Sequence, residues 1–129
     1  ATVTQAGHGL GVGEAVRFSA ATGYVKAKAD SEANAEAVGL ITRVAGDDFD
    51  ITIAGAVSGL TGMTGGVAYF LDPSTAGALT STDPTTIGLV SKPLFIATSG
   101  SEGYVFNFRG QYISAPPESI ELFIYYYGR

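Results

Sequence analysis

Few side chains in this chain are equipped for chemistry, and their spacing limits what each can do. His8 is the sole histidine and sits between Gly7 and Gly9. A zinc-type site needs further imidazole or thiolate ligands, and the chain has no cysteine and no second histidine. His8 therefore reads as a hydrogen-bonded turn residue. Asp47, Asp48 and Asp50 gather carboxylates of the kind a Ca²⁺ ion collects. The first two fall in Ala45-Gly46-Asp47-Asp48, where a turn favours Asp on its own account, and Asp50 alternates onto the solvent face of the next strand, so the turn reading leads. Covalent catalysis wants a nucleophile beside a base, and neither a Gly-x-Ser-x-Gly elbow nor a Cys–His combination occurs. The glycines from Gly7 to Gly13 lack the Gly-x-Gly-x-x-Gly register and a Gly-Lys-Ser/Thr ending, and no helical pattern follows them to hold a phosphate. No pair of carboxylates stands out for glycoside hydrolysis. The expectation is a chain without catalytic residues, metal ligands or a cofactor.

The residues with most to offer are adhesive. Ile120, Leu122, Phe123, Ile124, Tyr125, Tyr126 and Tyr127 form a β-prone block near the last residue, interrupted only by Glu121. An aromatic, nearly uncharged edge strand pairs readily with a neighbour unless it is covered. The block is either a final strand of the chain's own sheet or a strand donated to another subunit, where tyrosine and phenylalanine are frequent anchors. Leu60 and Met63, set among Gly59, Gly62, Gly65 and Gly66, are two further apolar side chains expected at a subunit contact. Tyr24, Tyr104 and Tyr112 are candidates for a sugar-stacking platform.

Composition narrows the class. At 129 residues the chain fits one domain that buries roughly two thirds of its unfolded surface. Gly is abundant (18 residues) without a Gly-X-Y period, and only 15% of residues are charged, which argues against both collagen and disorder. The formal charge is −5, and the seven Lys and Arg residues are scattered, so nothing resembles a track for a nucleic-acid backbone. No apolar run approaches the roughly 18 residues of a membrane-spanning helix, so neither nucleic acid nor membrane is expected as a partner.

The elements that must position these residues are short strands. Thr2 to Gln5 alternates into a glycine-spaced stretch, in which Leu10 and Val12 are expected on one face. Ala15–Ser19 and Tyr24–Lys28 form a hairpin around Gly23, and residues 30–37 allow one helical turn at most. Val38–Val44 reads as a buried strand, followed by Phe49–Ile53 with Phe49, Ile51 and Ile53 facing inward. Val67–Leu71 is a strand between Gly65-Gly66 and Asp72-Pro73. Pro93 requires an edge or a bulge before Leu94–Thr98, and Ser99–Gly103 turns into Tyr104–Arg109 with Tyr104, Phe106 and Phe108 on one face. Such dense turn signals indicate an all-β antiparallel barrel or sandwich over residues 1–110, with 111–129 as a C-terminal extension for subunit or partner contact.

Several phrases in fixed order strengthen this picture: His8-Gly9-Leu10-x-Val12-Gly13, Ala35-Glu36-Ala37-Val38-Gly39-Leu40, Val57-x-Gly59-Leu60-Thr61-Gly62-Met63-Thr64-x-Gly66, Tyr69-Phe70-Leu71, Ala76-Gly77-Ala78-Leu79-Thr80 and Val90-Ser91-Lys92-Pro93. Together, over roughly Val3 to Gly110, they resemble a β-rich module of bacteriophage tail fibres and other virion structural proteins. The plan is also similar to that of small capsid cement proteins. The resemblance implies a non-enzymatic virion protein, assembled in the host cytoplasm, that forms a homo-oligomer, with a trimer favoured, and docks on another phage structural protein. A tail-fibre or appendage module is the first expectation, capsid decoration the second and a carbohydrate-binding module the third. Gln111 to Arg129 have no counterpart in the pattern.

Overall fold

A computed structural model describes residues 1–106 and 110–114. Twelve strands and no helix form among them. The strands are β1 (Thr2–Thr4), β2 (Ala15–Ser19), β3 (Gly23–Lys26), β4 (Ala37–Ala45), β5 (Asp48–Thr52), β6 (Gly55–Val57), β7 (Ala68–Leu71), β8 (Leu79–Thr80), β9 (Val90–Ser91), β10 (Pro93–Ala97), β11 (Gly103–Val105) and β12 (Gln111–Tyr112). They build two five-stranded antiparallel sheets, ordered β1-β5-β4-β2-β3 and β6-β11-β10-β7-β8, and a small β12-β9 pair. The fold is all-β. Of the two expected architectures, the sandwich fits and the barrel does not, because neither ladder closes on itself.

The first sheet covers its own core of Leu10, Val16, Ile41, Phe49 and Ile51, with Val3, Tyr24, Val38 and Val44 around it. This sheet curls far enough that Gln5, one residue beyond edge strand β1, reaches the opposite edge strand β3. The Gln5 amide donates from Nε2 to the Tyr24 carbonyl at 2.9 Å and accepts from the Tyr24 N–H at 2.8 Å. One side-chain amide thus stands in for a missing strand, satisfying backbone groups that an open edge would leave unpaired. Gly23 permits the approach: its φ is +87°, and a Cβ there would lie 2.5 Å from Gln5 Oε1.

The second sheet contributes Val57, Tyr69, Leu71, Phe95, Ala97 and Val105 to a larger core that also takes Ala15 and Leu40 from the first. The join runs through residues 27–29. The Ala27 N–H bonds to the Ala15 carbonyl at 2.9 Å, while the Ala27 carbonyl accepts from Gly77 at 2.7 Å. The Ala29 N–H bonds to Asp72 at 3.1 Å and its carbonyl accepts from Val90 at 3.0 Å. Both alanines are fully buried, and their small side chains let backbones meet where larger ones would hold them apart.

Most expected strands form, with corrections at their ends. The β4–β5 hairpin follows the alternation expected of it, but β5 stops at Thr52 and Ile53 is exposed instead of sharing the inner face of Phe49 and Ile51. Leu10 is buried whereas Val12 is exposed, so the two do not share a face; the chain turns at Val12-Gly13, and the Gly13 N–H bonds to Ile41. The inward residues of β11 are Gly103 and Val105, and Tyr104 points out; Phe108 lies outside the described residues. Pro93 sits where the β10–β7 register slips, as a residue without an N–H requires. Residues 31–35 make a single turn closed by an Ala35 N–H to Ser31 carbonyl bond. Pairing continues past Gly110: Gln111 and Tyr112 lie opposite Ser91 and Val90.

Candidate assembly surface

The residues with chemical potential are placed in structural roles. His8 Nδ1 accepts from the Leu10 N–H at 2.9 Å, which leaves Nε2 protonated to donate to the Gly46 carbonyl at 2.8 Å. Its ring packs edge-on against Phe49 at 4.9 Å, so His8 pins the 5–13 segment over the first core. Asp48 accepts from the Thr4 hydroxyl at 2.6 Å. Asp50 accepts from the Thr2 hydroxyl at 2.7 Å and pairs in a two-pronged manner with Arg43, at 2.8 Å from Nε and 3.3 Å from Nη2. The guanidinium, and secondly the Thr2 hydroxyl, hold the Asp50 carboxyl down at a pKa of about 2. These carboxylates stabilise the β1–β5–β4 face; among the described residues no three metal-ligating side chains converge.

A cleft of about 300 Å³ lies where the 31–36 turn meets the β9–β12 pair, lined by Glu32, Ala35, Glu36, Val90, Gly110, Gln111 and Tyr112. Lys92 lies beside it, with its side chain against the Cα of Gly110, where a Cβ would lie 3.2 Å from Lys92 Cδ. Only 5% of Lys92 is exposed, and burial lowers its pKa despite the opposing charge of Glu36. Sequence reading missed this lysine, because Ser91-Lys92-Pro93 looks like an ordinary strand junction. The three tyrosines named for sugar stacking lie on different sheets: Tyr24 belongs to the first, Tyr104 to the second and Tyr112 to the β9–β12 pair. The Tyr24 ring is also engaged edge-on by Phe18 and Phe49.

The two described residues of the expected subunit contact lie inward. Leu60 is 3% exposed within the larger core, and Met63 packs against the same cluster. Their side chains seat the 58–66 loop, helped by bonds from Leu60 N–H to Ser101 and from Met63 N–H to Gly100. Ile120, Leu122, Phe123, Ile124, Tyr125, Tyr126 and Tyr127 fall outside the described residues.

What does stand exposed is the outer face of the second sheet. Ala56, Tyr104, Ile96 and Ala68 are directly opposed across β6, β11, β10 and β7, so their side chains share one face in a single row. All four are exposed, Tyr104 by 55% and Ile96 by 41%. None of the five strands of this sheet carries a charged residue, whereas the first sheet carries Arg17, Lys26, Arg43, Asp48 and Asp50. A neutral apolar sheet face lacks the charges by which sheets ordinarily discourage association.

Comparison of the chain with protein-family models, curated proteins and solved structures gives no match.

Proposed function

We propose that this chain is a non-enzymatic assembly module that binds copies of itself and another structural protein, as part of a bacteriophage tail fibre or similar appendage. The observation that carries the assembly reading is the uncharged, exposed row Ala56–Tyr104–Ile96–Ala68 on a sheet whose other face packs on the core. A body of formal charge −5 that associates with itself needs a contact free of like charges, and this face supplies one. The virion setting is supported by the resemblance in the sequence. Its phrases fall on turns and core positions, among them the His8 turn, Leu40, Leu60, Tyr69, Leu71, Gly77 and Val90, so what they share with phage modules is a scaffold. The β-prone block from Ile120 to Tyr127 is the second adhesive element in this reading.

Native mass measurement of the full chain, beside a version ending at Ala115, tests the proposal. The full chain is expected to form oligomers, and the shortened one to form fewer. Monomers in both, up to high concentration, would overturn the assembly reading.

A further inference from the structure

The open edges of the two sheets are not equivalent. At edge strand β3 the Gln5 amide takes the outward backbone groups of Tyr24, and the other outward residue is the charged Lys26. At edge strand β1, Ala1, Val3 and Gln5 face β5, since Ala1 and Ile51 exchange bonds and the Gln5 N–H donates to Asp47. Thr2 and Thr4 therefore turn their backbone groups outward, but their hydroxyls are tied to Asp50 and Asp48. A second copy docking there in the same manner would set carboxylates against carboxylates. Edge strand β8 lies beyond the end of the exposed apolar row, since Ala68 has no partner on it.

Edge strand β6 differs. Thr98 N–H bonds to Glu102 at 2.8 Å, and Phe106 N–H bonds to Leu94 at 3.0 Å. Antiparallel ladders alternate, so Tyr104, midway between Glu102 and Phe106, also directs its backbone groups toward β10. Gly103 and Val105 then face β6 and bond Val57 and Gly55, which leaves the N–H and C=O of Ala56, opposite Tyr104, pointing out of the sheet. No described strand pairs with that edge.

We propose that β6 pairs antiparallel with β6 of a second copy about a two-fold axis at Ala56. This rests on the assembly reading above and assigns it a surface. Such a pairing is self-complementary. The Ala56 N–H of each copy meets the Ala56 carbonyl of the other, with Gly55 opposite Val57, so both outward groups are satisfied at once. The two second sheets merge into one ten-stranded sheet, and the apolar rows join end to end through the two Ala56 side chains. The occupant is a second copy because the edge is uncharged, offers one outward residue on which a two-fold axis can sit, and carries the end of the apolar row that the assembly reading assigns to self-contact. An edge shaped for a long foreign strand would offer more than one outward residue.

The chain is cysteine-free and Ala56 is exposed, so position 56 can be altered with little effect on folding. In the full chain, Ala56→Lys and Ala56→Glu each place like charges directly across the seam. Each variant alone is expected to shift half-association to at least tenfold higher concentration by sedimentation, and an equimolar mixture of the two is expected to restore it as a heterodimer. Ala56→Cys is expected to give a disulfide-linked dimer on mild oxidation, since Cα atoms of a directly opposed pair lie about 5.5 Å apart. Thr2→Cys, at the carboxylate-flanked edge, is expected to yield little. If the unaltered chain assembles while Ala56→Lys and Ala56→Glu assemble equally well, the β6 contact is refuted and the assembly reading stands. If the unaltered chain itself stays monomeric, both fail.

Discussion

Replacing Gln5 by alanine tests how the first sheet is held in its curled form. The Gln5 side chain makes two hydrogen bonds, both to the backbone of Tyr24. With a net value of about 1 kcal/mol each, their loss costs roughly 2 kcal/mol, somewhat more if water reaches the freed Tyr24 groups poorly. Urea unfolding should show the midpoint falling with an unchanged slope, because the surface exposed on unfolding barely changes. Amide exchange should show Tyr24 losing protection while Ile51, bonded to Ala1 on the far side of β5, keeps its own. Gly23 provides the cross-check. Gly23→Ala should cost about 1–2 kcal/mol for its positive φ, with an added penalty for the 2.5 Å approach of the new Cβ to Gln5 Oε1. That second part should vanish in the Gln5→Ala background, making the pair less than additive. A stability change below about 0.5 kcal/mol for Gln5→Ala, with Tyr24 still protected, would refute the bridging role.

Three further outcomes follow from the packing and charges. Gly103→Ala should destabilise by roughly 1–3 kcal/mol or more, since its Cβ would lie 2.2 Å from the Ile96 carbonyl and 2.4 Å from Phe95 Cζ; thermal unfolding measures it. Phe95→Ala, at a fully buried ring, should cost about 3–5 kcal/mol, whereas Ile87→Ala at an exposed position should stay within about 0.5 kcal/mol. Asp50 has its carboxyl held at about 2, below the ordinary value of 3.8, so its contribution is complete above pH 4 and is lost as pH falls toward 2. Asp50→Asn should flatten that part of the acid limb of a stability-versus-pH curve, and an unchanged limb would mean that the Arg43 pair contributes nothing.

The legible parts of the fold were those specified by neighbours in the chain. Alternation in Phe49-Asp50-Ile51 marks a half-buried strand whatever surrounds it, Pro93 cannot fill a ladder position, and a histidine between glycines suits a turn. Contacts set by distant segments were not legible. Nothing local to Gln5 says that its amide ends on Tyr24, nineteen positions away, and nothing in Ser91-Lys92-Pro93 says that the lysine is covered by Gly110. Leu60 and Met63 looked like surface anchors because glycines surround them, but those glycines bend the loop so that both side chains turn into the core. The exposed row on the second sheet is not legible in the sequence for a related reason. Ala56, Ala68, Ile96 and Tyr104 are spread over four strands and become a surface only through their register.

Sedimentation velocity of the full chain across a wide concentration range bears most directly on whether this protein works by associating. A body of 13.2 kDa that assembles through a neutral sheet face should sediment faster as concentration rises, and should do so undiminished at high salt, since no ion pair holds the contact. A single slow boundary of monomer mass at every concentration would contradict the account.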